Sequence, residues 1–376
     1  MRLIINTAST LKGGGLQVAK SFIEECKKFK EHEFHVILGG NIGQTINKKS
    51  FPDNFYFYDI DVRPATKIFS LKPVTSFFQE VEKKVNPDVV FTTSGPAYWT
   101  PEAPHLVGFN LGHYIYTDSP FFKIIPFWKQ IRWKIRGKLK AHFFKKETDA
   151  YVVQTDDVNL RVKKWLKTPH VFTVSNSCSS HYFNPLVFPD KLKDRKKNEY
   201  RFLLLSAYHP HKNFEIIRKV IDLEIKDNPD TKMRFVLTLP ETIFTGIFQE
   251  KYHPYIYNVG PVPVAECASL YKECDAMFLP TLLECFSASY VEAMFMEKPI
   301  VTADLGFART VCEEAAIYFD PLNEKDISNK LHLLMENTEL QKQLITKGKE
   351  RRIIFKTAEE RALSYINLCK NLIKQR

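Results

Sequence analysis

Two glutamates, Glu284 and Glu292, are the residues of this chain whose spacing most directly suggests chemistry. They lie eight residues apart, shortly after the apolar run Ala276–Leu279 and Pro280. A helix that begins near Ser287 would leave Glu284 before its N-terminus and would place Glu292 in its second turn. Carboxylates bind the hydroxyls of sugars and ribose, and the free N–H groups of a helix N-terminus bind phosphate. The pair therefore predicts a nucleotide-sugar site.

Three further segments lie at the ends of predicted strands. The glycines of Gly13–Gly15 stand between the first strand and the first helix, where they would let backbone amides approach an anion or a sugar oxygen. Lys212 follows a strand and could neutralise a departing diphosphate without a metal, with His211 beside it as a hydrogen-bond donor. His113 also follows a strand and could hydrogen-bond a transferred sugar. A structural turn, a solvated lysine and a structural histidine are the alternatives that the residues leave open.

The segment Gly13–Ser21 also nearly matches a phosphate-binding P-loop, because Gly14, Lys20 and Ser21 have the required spacing. The residue before the lysine is Ala19, although that loop geometry favours glycine. The segment therefore leaves an NTPase as an alternative.

The stretch from Ser119 to Lys146 contains nine lysines and arginines and no acidic residue, with apolar residues at helical spacing. A basic helix with Trp and Phe on its apolar side is typical of an interfacial membrane helix. A domain helix whose cations are solvated is the alternative. The residues predicted to contact the membrane or the acceptor are Phe127, Trp128, Arg132, Trp133, Lys134 and Arg136.

The composition limits the class of protein. The chain has 376 residues and a formal charge of +11, so we expect an anionic partner. No binding motif suggests nucleic acid, and no apolar run is long enough to cross a bilayer. Seven dispersed cysteines favour reduced thiols in the cytoplasm. Asp59 and Asp61 have the spacing of a metal-binding pair but lie in an alternating strand pattern, so we expect neither a metal nor a cofactor.

The predicted elements must place these residues together. Short apolar strands alternate with amphipathic helices, and the pattern restarts after a charged segment, which predicts two doubly wound α/β domains. Ligands of such sheets bind at the carboxyl ends of the strands. The predicted organisation is an N-terminal Rossmann-like acceptor domain, a linker, a C-terminal Rossmann-like donor domain and a helix that packs across both. Their bounds are 1–184, 185–199, 200–356 and 357–376.

With these motifs in view, the chain resembles the retaining glycosyltransferases of family four, which have the GT-B fold of two Rossmann-like domains facing a central cleft. The matching pieces are Gly13–Gly15, His113, the Lys212 segment, the Glu284–Glu292 pair, and the later segments Pro299–Thr302 and Ala315–Pro321. Two positions depart from the family pattern. Ala207 stands where the family usually has an arginine that shares the diphosphate, and Cys285 replaces a glycine.

The resemblance implies a role for each matching residue. His113, Lys212 and Glu284 would be catalytic. Glu292 would bind the nucleotide ribose, Glu284 the donor-sugar hydroxyls and Lys212 the diphosphate. The complete set implied for donor binding is Gly14, Gly15, His211, Lys212, Glu284, Cys285, Phe286, Ser287 and Glu292. Because Ala207 replaces the usual arginine, the phosphate charge would be balanced by Lys212, the helix N-termini and also His211 or Arg309.

The sequence thus predicts a metal-independent retaining glycosyltransferase that moves a sugar from a nucleotide-diphospho-sugar to a hydroxyl of a glycan. We expect a polyprenol-linked acceptor in surface polysaccharide biosynthesis, and a peripheral location at the cytoplasmic face of the plasma membrane. The alternatives are a glycosyltransferase for a soluble small molecule, a P-loop-like NTPase and a non-catalytic basic membrane-binding protein.

Overall fold

The computed structural model describes residues 1–10, 13–66 and 70–375. The chain forms two compact units, each with its own parallel sheet. The first unit comprises Met1–Thr117, Pro126–Asn176 and Lys356–Arg376, and the second comprises Asp118–Ile125 and Ser177–Phe355. The expected α/β class with two Rossmann-like domains is confirmed.

The first unit contains a seven-stranded sheet in the order β3-β2-β1-β4-β5-β6-β7, with parallel neighbours throughout. Its inner strands are short, buried and mostly apolar, as expected for strands covered on both faces, whereas the two edge strands are partly exposed. They are β1 (Arg2–Asn6), β2 (Glu33–Gly39), β3 (Phe55–Ile60), β4 (Val89–Thr92), β5 (His105–Gly108), β6 (Ala150–Val153) and β7 (Val171–Thr173).

The helices of the first unit lie between these strands, and its last helix comes from the end of the chain. They are α1 (Gly14–Glu25), α2 (Gly40–Gly43), α3 (Lys72–Val85), α5 (Phe127–Glu147), α6 (Asp156–Leu166) and α14 (Ala358–Lys374). The short α4 (Phe121–Ile124) belongs to the second unit.

The last helix, α14, begins with a capping box between Thr357 and Glu360. Its Tyr365 packs edge-on against Phe22 of α1, with ring centroids 5.4 Å apart, and also contacts Phe91 of β4. The contacts of this helix therefore complete the core of the first unit.

The second unit contains a six-stranded parallel sheet in the order β10-β9-β8-β11-β12-β13. Its strands are β8 (Tyr200–Leu204), β9 (Met233–Leu237), β10 (Ile256–Asn258), β11 (Ala276–Leu279), β12 (Ile300–Ala303) and β13 (Ala316–Phe319). Its helices after α4 are α7 (Ile216–Asp227), α8 (Glu241–Ile247), α9 (Cys267–Lys272), α10 (Ala288–Phe295), α11 (Gly306–Cys312), α12 (Glu324–Glu336) and α13 (Thr338–Arg352).

The segment 185–199, predicted to be a linker, is attached to the second unit. The backbone N–H of Phe188 donates to Ser269 Oγ over 3.3 Å, and Arg195 forms an ion pair of 2.7 Å with Asp275. These contacts agree with the place of the segment in the second unit, which includes Ser177–Phe355.

The strand order reverses at one place in each sheet, between β1 and β4 in the first unit and between β8 and β11 in the second. Such a switch point leaves a crevice at the carboxyl ends of the two strands, because their following connections leave in opposite directions. The loops after β8 and β11 contain Lys212 and Glu284. The topology thus brings together the two residues singled out at those strand ends.

Candidate active site

Lys212 occupies the end of a single helical turn, Pro210–Lys212, in the loop between β8 and α7. Its backbone N–H donates to His209 O over 2.8 Å. The next residue, Asn213, is buried in a left-handed conformation with φ of 57°, which asparagine tolerates better than most residues. This turn fixes the direction in which the lysine leaves the backbone.

Asn213 also fastens this loop to its neighbours. Its side-chain amide donates to Pro280 O over 3.3 Å and to Pro321 O over 2.9 Å, so it bridges the segments after β11 and β13. The carbonyl of His211 accepts hydrogen bonds from the Leu282 backbone N–H at 2.7 Å and from the Thr281 hydroxyl at 3.1 Å. Because buried polar groups are costly to leave unpaired, this network holds the Lys212 and Glu284 loops in register.

Glu284 forms an ion pair with Lys212. Each of the two side chains is only 13% exposed. The Thr281 hydroxyl, whose shorter hydrogen bond is to His211 O, also lies 3.4 Å from Glu284 Oε1. A cation and a carboxylate that neutralise each other at a strand end can separate when an anion and a sugar hydroxyl offer each of them a new partner.

Glu292 lies in the second turn of α10, as the spacing predicts. The Tyr271 hydroxyl donates to its Oε2 over 3.5 Å, and the Tyr182 hydroxyl also bonds to this carboxyl. Burial raises the pKa of Glu292 to about 7, although the two tyrosines and the charge of Lys212 act in the opposite direction. Near neutral pH this carboxyl therefore exists in both protonation states and can accept or donate a hydrogen bond.

The residues between the two glutamates form the entry to α10. Cys285 and Ser287 are buried, and Ser287 is the residue that precedes the first turn of the helix. Phe286 is partly exposed and packs against Phe355 with ring centroids 6.3 Å apart. The Ser289 hydroxyl donates to Leu205 O over 3.4 Å, which joins α10 to the loop after β8. The N-terminus of α10 thus belongs to the same group of loops as Lys212.

The positive charge that Ala207 lacks has two predicted sources, and the structure describes both. Arg309 forms a paired contact with Asp304, with Nη2 to Oδ2 at 2.8 Å, and lies 4.3 Å from the centre of the Tyr318 ring. Its charge is therefore largely neutralised. His211 stacks on His209 with ring centroids 5.4 Å apart, next to Lys212 in the same turn.

His113 lies in the first unit, in the turn Gly112–Tyr114 that follows β5. Its ring stacks on Trp133 of α5 at a centroid distance of 4.3 Å. Trp133, which the sequence assigns to the membrane or acceptor face, therefore points inward from α5 and supports His113.

The glycines of the Gly13–Gly15 segment begin helix α1. Gly13 has φ of 69°, a conformation that favours glycine. A Cβ on Gly15 would approach Asn110 Nδ2 to 3.1 Å, whereas the position of Gly14 is open. Because α1 already starts at Gly14, Lys20 lies well inside the helix rather than at the end of a phosphate-binding loop. This geometry speaks against the P-loop alternative.

Helix α5 carries the other predicted membrane residues. Phe127 and Trp128 are 72% and 59% exposed, and Arg132, Lys134 and Arg136 are also exposed. The helix faces the core of its unit through Gly137 and Phe144.

Several neighbours of these residues were not predicted. Tyr182 and Tyr271 reach Glu292 from segments that show no motif, and tertiary contact alone brings them there. Asn213 has a recognisable signal, since an asparagine directly after a strand-end lysine is suited to a left-handed turn.

Across the described ranges 1–10, 13–66 and 70–375, no cluster of three or more His, Cys, Asp or Glu side chains is arranged to hold a metal. Asp59 forms an ion pair with Lys48 instead. Within the same ranges, no helix combines the length and the apolar character needed to span a bilayer.

Comparison with known proteins relates this geometry to an enzyme class. Residues 190–351 match the family described as "Glycosyl transferases group 1". No curated protein is similar enough in sequence to match the chain. Structural similarity is broader, and it extends over the entire length.

A glycosyltransferase from Rickettsia africae is 17% identical, with a TM-score of 0.74 over 100% of this chain and 99% of that one. The sucrose-phosphate synthase of Thermosynechococcus elongatus is 12% identical, with a TM-score of 0.73 and complete coverage of both chains. The Anabaena protein HepE, solved with UDP and glucose, is 13% identical, with a TM-score of 0.69 over 99% of this chain and 100% of that one. The segment that holds Lys212, Glu284 and Glu292 therefore matches the group 1 glycosyl transferases, and the chain as a whole has the GT-B fold.

Proposed function

We propose that this protein transfers a sugar from a nucleotide-diphospho-sugar to a hydroxyl of a glycan acceptor, with retention of the anomeric configuration and without a catalytic metal. The observation that carries the proposal is the Lys212–Glu284 ion pair at the switch point of the second sheet. It supplies a cation for the leaving group and a carboxylate for the sugar hydroxyls from adjoining loops.

The proposed reaction begins with an exchange of partners. The donor diphosphate takes Lys212 from Glu284, and the released carboxylate accepts hydrogen bonds from the hydroxyls of the donor sugar. The N–H groups at the start of α10 add further donors to the phosphate. We assign Glu292, whose pKa is raised to about 7, to the hydroxyls of the ribose.

The bond to the anomeric carbon then breaks while Lys212 stabilises the negative charge that develops on the leaving diphosphate. The incoming hydroxyl bonds to the same face of the sugar and gives its proton to the departing phosphate oxygen. The second unit acts here by positioning and by electrostatic stabilisation. His113 is proposed to contact the reacting sugar, and Trp133 would hold its ring.

The nucleotide proposed first is UDP, because the Anabaena neighbour was solved with UDP and glucose. Thermal shift with UDP-, GDP-, ADP- and CMP-sugars in the presence of EDTA tests this choice, since a ligand of the folded state raises its stability by mass action. We expect one nucleotide series to stabilise the wild type and Lys219→Gln, a control on the exposed side of α7. The same series should not stabilise Lys212→Gln.

The acceptor is proposed to be lipid-linked and reached from the cytoplasmic face of a membrane. Helix α5 supports this, because its exposed apolar side chains Trp128, Ile131, Ile135 and Leu139 follow one helical face among cations that carry no intervening acid. The soluble-acceptor alternative predicts equal turnover with and without vesicles. Turnover that rises when the acceptor is presented on anionic vesicles supports the lipid-linked one.

A further inference from the structure

The first unit has its own group of polar side chains at the carboxyl ends of β1, β4 and β5. They line a cavity of about 200 Å³. The residues that matter for its chemistry are Ser9, Thr10, Arg63, Ser94, Tyr98 and Lys140. All of them lie in the first unit, so the cavity is a feature of that unit alone.

Two cations, Arg63 and Lys140, make the lining of this cavity positively charged. Lys140 Nζ donates to the Tyr98 hydroxyl over 2.9 Å. The Nε of Arg63 is buried and has no hydrogen-bond partner among the described residues. Within that part of the chain, neither cation lies within 4.0 Å of a carboxylate oxygen. Burial, together with the nearby charge of Arg63, lowers the pKa of Lys140 to about 8.

The charge of Glu147 raises the pKa of Lys140, but the hydrogen bonds of this carboxyl go to other groups. It accepts a hydrogen bond from the backbone N–H of Ala97 at 2.5 Å, as well as bonds from the N–H groups of Tyr98 and Trp99. Burial raises its pKa to about 8, and these three backbone donors, rather than an ion pair with Lys140, are its partners.

The hydroxyls around the cations are held in place. Ser9 Oγ donates to Pro96 O over 3.0 Å, and Ser94 Oγ donates to Asn110 Oδ1 over the same distance. Thr10 and Thr93 share a hydrogen bond of 3.1 Å. These bonds order the wall of the cavity and use the O–H groups of both serines. The two cations then match a tetrahedral dianion, because phosphate accepts charge-assisted hydrogen bonds in several directions.

We infer that this cavity binds a phosphate group of the acceptor. The inference rests on the proposed transferase function and makes the acceptor substrate anionic. The donor diphosphate has its own cation in Lys212, so a second phosphate-binding group in the first unit is assigned to the other substrate.

Helix α5 connects this cavity with the membrane proposal. Lys140 follows Trp133 and Gly137 along the inward side of the helix, whereas Trp128, Ile131 and Ile135 occupy the exposed side. One helix thus bears both Lys140, which would bind the phosphate, and the exposed apolar surface. The phosphate can come from a soluble phosphorylated glycan or from a lipid-linked one, and the experiment distinguishes the two.

The test measures binding of glycerol 3-phosphate to the full chain by calorimetry. A second measurement uses phosphatidylcholine vesicles that contain phosphatidic acid, whose headgroup is a phosphate monoester of the same kind. Arg63→Gln and Lys140→Gln should each weaken glycerol 3-phosphate binding about tenfold, which corresponds to about 1.4 kcal/mol for a lost charge-assisted contact. Lys138→Gln, on an exposed position of α5, is the matched control and should bind as the wild type does. Arg63→Lys keeps the charge and should retain most of the affinity, which separates loss of charge from misfolding.

Binding that is lost in both variants with soluble and vesicle probes alike indicates a phosphate site open to either source. Dependence on Arg63 and Lys140 only with phosphatidic acid, and not with phosphatidylglycerol at equal surface charge, indicates a lipid phosphate. Equal affinity of all variants, or no binding of any phosphate probe, overturns the inference. UDP-sugar binding tests the proposed function independently of this inference. It should be unchanged in Arg63→Gln and Lys140→Gln and lost in Lys212→Gln.

Discussion

Each unit has cations near the carboxyl ends of the strands at its switch point, but the two units treat their charge differently. In the second unit, Lys212 at the switch point is neutralised by Glu284. In the first unit, Arg63 and Lys140 face a cavity without a carboxylate in ion-pairing distance among the described residues. A neutralised cation suits a ligand that brings partners for both members of the pair, because the phosphate can bind Lys212 while the sugar hydroxyls bind the released Glu284. An uncompensated pair of cations suits a charge that the ligand carries when it arrives.

The largest expected effect tests the neutralised pair. Lys212→Gln removes the charge that stabilises the leaving diphosphate, and we expect kcat to fall about 10²–10³-fold, as for the loss of one preorganised transition-state contact. Steady-state kinetics measure kcat with the nucleotide-sugar that stabilises the wild type in the thermal-shift screen. Glu284→Gln should also lower kcat, whereas Lys219→Gln should not. Wild-type turnover in Lys212→Gln would show that the charge of Lys212 does not stabilise the leaving group.

The next effect tests how the second unit holds its loops. Asn213→Ala loses two hydrogen bonds and places a less tolerant residue in a left-handed turn. We expect the free energy of unfolding to fall by about 2 kcal/mol. Asn213→Gly relieves the turn but not the lost bonds, so urea unfolding of both variants separates the two contributions. A stability equal to that of the wild type in both variants would mean that these bonds do not fix the loops.

A third prediction concerns the exposed side of α5 in the first unit. The double change Trp128→Glu and Ile135→Glu removes apolar area and adds charge, so we expect binding to anionic vesicles to weaken at least about tenfold. Vesicle sedimentation measures it. Leu160→Glu, at a 68% exposed apolar position on α6, is the control for an unspecific effect of charge. Equal losses in both proteins would argue against a membrane role for α5.

The smallest effect concerns the protonation of Glu292. Its folded-state pKa of about 7 lies above the ordinary value of 4.5, so the folded protein holds this proton more tightly than the unfolded chain does. The stabilisation is complete below about pH 4.5 and is lost as the pH rises towards 7. Glu292→Gln should therefore raise Tm by about 3 °C at pH 8 relative to the wild type, and by less at pH 5. A Tm difference that is the same at both pH values would contradict the raised pKa.

The sequence was informative where chemistry is local. The short apolar strands, the amphipathic helices between them, and the position of Glu292 in the second turn of α10 follow from residue patterns. The family resemblance is confirmed for residues 190–351, whereas the site roles stay predictions.

Long-range contacts were outside the reach of residue patterns. Tyr182 and Tyr271 reach Glu292, and Trp133 turns inward towards His113, because of tertiary packing that no spacing encodes. The Arg63–Lys140 cavity was missed for the same reason. Lys140 lies in the basic stretch Ser119–Lys146, but Arg63 lies in a loop far from it in the sequence, and no motif pairs the two cations.

The helix α14 has a consequence for the order in which the protein is made on the ribosome. Arg361 of this helix is buried and contacts Asn176 and Ser21, 185 and 340 residues earlier in the chain. At a synthesis rate of about 5–20 residues per second, the whole of Ser177–Phe355 takes roughly 10–40 s to emerge. During that time the apolar surface around Phe22 and Phe91 lacks its cover. The first unit to be synthesised is therefore the last to be finished.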